Sequence, residues 1–263
     1  MKTGESTSLH AVCSLVTLFF MMRKKIWNRN LLISRVDNIF IINDKKFVKF
    51  SDISKVDTGI TTGNNKFFSV TNETVERYDL SQITLPLIGR SAHAHGIFFT
   101  EEDWSVNVNK GLPAQLAYFP NAPLEGFPEG HQDYNEQGVE SGQSEGYKLG
   151  LRKNWYHIPS VYPPDAFFLR INDTFPKFVL NDLEAVSTDT MHRIRFFEGI
   201  DRRKALLSYY NSITFAFTEM EGRSYGGGVL EVYQVKQKKL FYLISMTLMK
   251  VPRTVCCIVL MIL

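Results

Sequence analysis

A chain of 263 residues can bury one sizeable core, or one core with a small satellite, and one principal domain is the simplest division. Its 44% apolar and 22% charged residues are ordinary for a soluble globular protein, and a net charge of +3 does not by itself argue for nucleic-acid binding. The three cysteines, Cys13, Cys256 and Cys257, show neither metal-ligand spacing nor a disulfide framework, which excludes a disulfide-built domain and fits a reducing, cytoplasmic setting.

In chain order, Ala11 to Met22 is apolar and is followed by Arg23-Lys24-Lys25. It falls short of the roughly 20 residues that cross a bilayer, and a secretory signal carries its positive charge before the apolar run. A buried or interfacial segment is the plainer reading, and no membrane partner is expected. Phe47 to Phe50 predicts a short strand. Asp57 to Phe68 then carries Gly59, Gly63, Asn64 and Asn65, residues that supply unusual backbone dihedrals, and reads as a turn-rich loop. Thr71 to Tyr78 predicts a short helix, and Leu85 to Arg90 an extended segment leading into Ser91-Ala92-His93.

Between Tyr118 and Gly146, proline, glycine and acidic residues replace any apolar period, which predicts a long surface loop with a helix fragment near Tyr134 to Val139. From Gly126 to Gly146 there is no lysine or arginine, so the basic residues are concentrated elsewhere. Ala166 to Arg170, Phe175 to Leu180 and His192 to Phe196 have the aromatic and branched content of strands. In the last of these, alternation puts Arg193 and Arg195 on one face. Asp201 is placed to cap a helix running to about Met220, with Ala205, Leu206, Tyr209, Ile213, Ala216 and Phe217 near helical spacing and Gly222 to end it. Leu240 to Met249 and Val255 to Leu263 are apolar runs separated by Lys250 and Arg253. Strands with a long C-proximal helix and a long surface loop predict an α+β fold on a mixed sheet, rather than a doubly wound one.

Duplex DNA is bound by cations on phosphate and planar donors on base edges. Lys148, Arg152 and Lys153 stand beside Trp155 and Tyr156, offering charge and aromatic surface, although such aromatics are more often core. Arg193 and Arg195, followed by Arg202, Arg203 and Lys204, suit a phosphate-facing ridge or a solvated face paired with Glu198 and Asp201. Ser187 to Thr190 suit hydrogen bonds to phosphate or to their own turn. Arg223 and Ser224, with Tyr225 before Gly226-Gly227-Gly228, either bring backbone close to DNA or close the domain. His93, His95 and His131 lack an acidic or cysteine partner at metal spacing, and no Gly-x-Ser-x-Gly nucleophile motif occurs.

Several phrases recur together. They are Gly59 to Phe68, Leu87-Ile88-Gly89-Arg90-Ser91, Gly146-Tyr147-Lys148 with Arg152 to Ser160, Pro164 to Arg170, Ser187 to Arg195, and Gly222 to Glu231. In this order they resemble the C-terminal target-recognition region of bacterial type II restriction-modification adenine-N6 DNA methyltransferases, over roughly Val56 to Val232. The resemblance implies a domain that recognises a specific double-stranded DNA sequence. It adds Thr61, Thr62, Asn64, Asn65, Lys66 and Arg90 to the expected DNA contacts, beside Lys148, Arg152, Lys153, Trp155, Arg193, Arg195, Arg223 and Ser224. The full-length family uses S-adenosylmethionine, but no cofactor is expected in this chain. Its only Pro-Pro pair, Pro163-Pro164, follows Tyr162 and precedes Asp165, so the amide and aromatic of the family's catalytic motif are out of place.

The expectation is therefore a recognition domain without a catalytic one and without activity of its own. The alternative is a stand-alone specificity subunit that partners a separate methyltransferase or nuclease. Residues 1–44 and 233–263 match the family poorly. Tyr233 to Lys238, shifted by two nucleotides, permits the Pro-Ser-Glu-Ala-Glu-Lys that commonly follows the glycine segment. This predicts a frameshift near Val232, and Met21 to Lys25 likewise permits Asp-Glu-Lys-Lys. On that reading residues 45–232 are the recognition domain and both ends are out-of-frame peptide.

Overall fold

A computed structural model of the protein describes residues 47–173, 175–210, 212–225, 229–233 and 241–243. The expectations for residues 1–44, the three cysteines, Gly226 to Gly228 and Val255 to Leu263 lie outside the described residues. In chain order come β1 (Phe47–Lys49), β2 (Ser54–Thr58), α1 (Asn65–Phe68), β3 (Ser69–Val70), α2 (Asn72–Arg77), β4 (Thr84–Ile88), β5 (Phe98–Phe99), α3 (Glu101–Asn109) and β6 (Gln115–Ala117). There follow α4 (Glu129–Glu140), α5 (Tyr147–Gly150), β7 (Ala166–Leu169), β8 (Ile171–Asn172), β9 (Phe178–Asn181), β10 (Val186–Ser187) and β11 (Met191–Phe196). The series closes with α6 (Arg202–Tyr209), α7 (Ser212–Glu221), β12 (Arg223–Ser224), β13 (Leu230–Glu231) and β14 (Phe241–Leu243). The fold is α+β with mixed sheets, and the five-stranded sheet runs β2-β11-β7-β9-β5.

The chain divides into two compact units. One holds residues 57–170 and 179–195 and contains a four-stranded sheet ordered β10-β4-β6-β3. Here β10 runs parallel to β4, while β4 and β3 each run antiparallel to β6. Phe67, at the end of the glycine- and asparagine-rich loop, is the hub of its aromatic core, with ring centroids 4.6 Å from Tyr134, 4.7 Å from Trp155 and 5.0 Å from Phe68. Leu87, Leu116, Phe119, Tyr156 and Ile158 complete that cluster. Burying rings of this size dominates the stabilisation of a small core, with edge-to-face or offset contacts adding to the area term. A second cluster joins Ile88, Phe99, Phe167, Leu169, Val179 and Met191.

The stretch from Tyr118 to Gly146 is more ordered than its composition predicts. Instead of a helix fragment in a loop, it carries the 12-residue α4, which buries His131, Tyr134, Asn135 and Gly138 while Val139 stays exposed. An apolar period is missing because polar and absent side chains make the contact. His131 Nε2 hydrogen-bonds Asp79 O at 2.9 Å and Asn135 Nδ2 donates to His131 O. At Gly138 the helix comes so close that an added Cβ would lie 2.5 Å from a Phe67 ring carbon and 2.8 Å from one of Trp155. A glycine inside a helix costs about 1 kcal/mol against alanine, which is offset here by close packing.

The other unit holds the remaining described residues, among them 171–178 and 196–233. Its strands form an antiparallel β1–β14 pair and a three-stranded sheet ordered β12-β13-β8. Phe178 is central, meeting Phe50, Phe196 and Tyr209 edge-on with centroids 6.1, 6.1 and 5.4 Å away. Asp201 caps α6 as expected, its carboxylate accepting from the amides of Arg203 and Lys204. The single long helix predicted from Asp201 to Met220 is instead two, α6 and α7, parted at Tyr210. The physical reason is a competing partner. The Tyr210 hydroxyl donates to Phe178 O at 2.6 Å and accepts from Phe178 N at 3.1 Å, with the Tyr210 backbone at ψ 70, outside the helical region.

Candidate functional site

The unit of residues 57–170 and 179–195 gathers most of the expected contact residues around one segment, Thr58 to Lys66. Its entry is fixed by backbone. Gly59 N donates to Met191 O and Ile60 N to Ser187 O, and Ile60 pairs in parallel with Thr188. No side chain fits at Gly59, since a Cβ there would lie 1.9 Å from Thr188 O and 2.7 Å from Met191 O. Gly63 has φ +86, a left-handed turn that glycine adopts freely. Asn64 then caps α1, its side chain accepting from the amides of Lys66 and Phe67 while its Nδ2 donates to Gln143 O at 2.9 Å.

The stretch around α5 is tied to the same segment. Arg152 donates to Thr61 O at 3.1 Å and to Trp155 O at 3.3 Å, and its guanidinium lies 5.8 Å from the Phe68 ring centre. Burial pulls its pKa down, yet a guanidinium remains cationic at neutral pH. Arg152 is a clamp between two loops, and the Trp155 ring, expected to stack on bases, packs on Phe67 and Phe68 instead. Thr62 is buried, its hydroxyl donating to Asn65 Oδ1. Thr61, Asn65, Lys66, Lys148 and Lys153 are exposed.

Arg193 and Arg195 do share a strand face, and both stack on one ring. Their guanidinium carbons lie 4.0 and 4.4 Å from the centre of Tyr162, whose hydroxyl donates to Asp57 Oδ2 at 2.9 Å. Burial raises the Tyr162 pKa, and the hydrogen bond to Asp57 raises it further. The two arginines differ in access. Arg195 is exposed, whereas Arg193 is 7% exposed, with Nε donating to Thr58 O and Nη1 to Ser160 O. Buried and with two of its five N–H donors on backbone carbonyls, Arg193 acts as a structural bolt, and its burial sets it apart from the exposed phosphate contact expected of it.

Arg90 is exposed and follows Gly89, whose carbonyl accepts from the hydroxyls of Thr188 and Thr190. Those two hydroxyls serve the turn beside Ile60. His93 lies just beyond, its pKa lowered first by burial and then by the charges of Arg90 and His95. Arg223 and Ser224 belong to the other unit, exposed on β12, with the Arg223 guanidinium 5.3 Å from the Tyr225 ring centre. The Tyr225 hydroxyl donates to Glu231, which pushes its pKa up to about 12.

Three residues near the site were passed over as side chains in the sequence. Tyr162 registers there only as a departure from a catalytic motif, and Tyr147 and Leu151 only as parts of a phrase or a gap. Tyr147 and Leu151 are 83% and 70% exposed. A tyrosine and a leucine four apart between glycines and lysines were the available signal. Among the described residues no group of histidine, cysteine, aspartate or glutamate is placed to hold a metal ion. No described helix is long and apolar enough to cross a membrane.

Comparison with known proteins gives these surfaces a context. Part of the chain is 22% identical over 198 residues to the type II methyltransferase M.AccI of Acinetobacter calcoaceticus, a match covering 72% of this chain and 35% of that protein. The chain thus spans about a third of the length of that curated relative. The fold is also that of part of the type IIG restriction endonuclease BpuSI, with a TM-score of 0.52 and 12% identity, over 86% of this chain and 27% of that one. Residues 27–241 match the family described as the C-terminal domain of the type II methyltransferase M.Eco57I, and the chain belongs to that family of restriction-modification methyltransferase domains.

Proposed function

We propose that this domain recognises a specific duplex DNA sequence for a restriction-modification methyltransferase that acts on adenine N6. The observation that carries the reading is the convergence of exposed cations on one fixed segment. Lys66 lies on it, Lys148 and Lys153 flank the clamp of Arg152 on Thr61, Arg90 follows Gly89, whose carbonyl accepts from the Thr188 that pairs with Ile60, and Arg195 shares the Tyr162 ring with Arg193, which bonds Thr58 O. Exposed Thr61 and Asn65 add neutral donors and acceptors of the kind that read base edges.

We infer that S-adenosylmethionine, the methyl donor of the full-length family, is held outside the described residues, and that the Pro163-Pro164 stretch serves another purpose. The Pro164 carbonyl accepts from Asn181 Nδ2, and Tyr162 carries two guanidinium groups against its ring with its hydroxyl on Asp57. That stretch is structural and offers no clamp for an extruded base. We assign methyl transfer to a catalytic part outside residues 47–243, whether on a longer polypeptide or a separate subunit.

The test is a fluorescence anisotropy titration of the purified chain against mixed-sequence duplex DNA at several salt concentrations. Three to five phosphate contacts correspond to a slope of roughly −2.7 to −4.5 in log K against log salt. Salt-insensitive binding, or none at low salt, would overturn the DNA reading. Methyl incorporation into DNA by this chain alone would overturn the assignment of catalysis elsewhere.

A further inference from the structure

Resting on that DNA reading, we propose that Tyr147 and Leu151 form a wedge that enters the base stack of bound duplex DNA and supports the gap left by an extruded nucleotide. Enzymes that act on a base must take it out of the duplex, and the emptied stack then needs an apolar or aromatic group in its place. Trp155 and Tyr156, the aromatics first in view for this, are committed to the core. Tyr147 and Leu151 are free to serve. At 83% and 70% exposure they are the two most exposed large hydrophobic side chains described.

Their presentation is built rather than incidental. Tyr147 begins α5 and Leu151 caps its end, so the two lie four residues apart, the spacing that puts side chains on one helix face. Between them Leu149 is fully buried and roots the turn in the aromatic core. Gly146, at φ +148, adopts a backbone conformation that side-chain-bearing residues rarely reach, and launches the turn outward. On the far side Arg152 ties the turn to Thr61 O and Trp155 O. The result is an apolar tip on a stiff base.

Charge selects the occupant. Lys148 and Lys153, both exposed, flank the tip, and Lys66 is exposed on the segment to which Arg152 anchors it. Glu145 is the acidic group on the same stretch, outnumbered by these cations. An apolar tip flanked along the chain by exposed lysines matches stacked bases edged by phosphates better than an apolar protein groove.

The experiment compares two duplexes of one sequence, one intact and one carrying a single abasic site, titrated with the full chain and with its Tyr147→Ala and Tyr147→Phe variants. The exposed position makes all three expected to fold. A wedge fills the vacancy, so the native chain should bind the abasic duplex roughly fivefold or more tightly than the intact one, the worth of one stacking contact. Tyr147→Ala should lose that preference, and Tyr147→Phe should retain it. Binding of both duplexes without preference, or a preference that survives Tyr147→Ala, would overturn the wedge and leave the DNA reading standing. Binding of neither would overturn both.

Discussion

Gly59→Ala is expected to lower the stability of the unit around residues 57–170 by about 4 kcal/mol or more, among the largest effects a single methyl group can have. The added Cβ would lie 1.9 Å from Thr188 O and 2.6 Å from Thr188 C, and both are backbone atoms. A flexible side chain could swing away from such a contact. Here the obstacle is a strand end fixed by Ile60 N on Ser187 O and Gly59 N on Met191 O. Relief requires breaking those bonds and moving the segment that carries Thr61 to Lys66, so DNA binding should fall with stability. Urea unfolding followed by the fluorescence of Trp104 and Trp155, both in this unit, gives the measurement. Gly150→Ala, where a Cβ would meet nothing within 4 Å, is the control and should stay within about 0.5 kcal/mol of the native chain. A native-like midpoint for Gly59→Ala would contradict the close crossing.

Arg193→Met should cost about 3 kcal/mol or more by the same measurement, because it removes two charge-assisted hydrogen bonds and leaves two carbonyls without their donor. The carbonyls are Thr58 O and Ser160 O, and the variant also strips one guanidinium from the face of Tyr162. Arg195→Met, at an exposed neighbour on the same strand face, should change stability little and weaken DNA binding instead. The pair therefore separates a bolt from a contact. Equal stability of the two variants would show that Arg193 is not the structural member.

How far the sequence reveals this can be judged element by element. Asp201 and Thr71 cap helices, as a short acceptor before a helical run suggests, whereas Asn64 caps the one-turn α1 inside a stretch whose glycines and asparagines read as loop. Strands β7 and β11 were legible from dense aromatic and branched residues. α4 was legible only as a fragment near Tyr134 to Val139, since apart from Tyr134 its buried face is made by His131, Asn135 and the absent side chain of Gly138, none of which scores as apolar. The break at Tyr210 was hidden for a related reason. A tyrosine at helical spacing reads as core until its hydroxyl is seen to find Phe178 O.

The candidate site divides the same way. Residue type shows that Lys66, Lys148 and Lys153 carry charge, and their exposure agrees with a binding role. Type cannot separate Arg193 from Arg195, two residues apart on one strand, because the difference lies in which backbone carbonyls each can reach. Trp155 and Tyr147 illustrate the reverse. Both are aromatic beside lysine, and only packing tells that the first belongs to the core and the second to the surface.

The most direct measurement is duplex DNA binding by the Lys66→Gln, Lys148→Gln, Lys153→Gln triple variant beside the native chain, by anisotropy across a salt series. All three side chains are exposed, so circular dichroism of the variant should match the native chain. Binding should weaken severely at low salt, and the slope of log K against log salt should become shallower by roughly 2.7, the share of three phosphate contacts. Unchanged affinity and slope in a folded triple variant would contradict this surface as the seat of DNA binding.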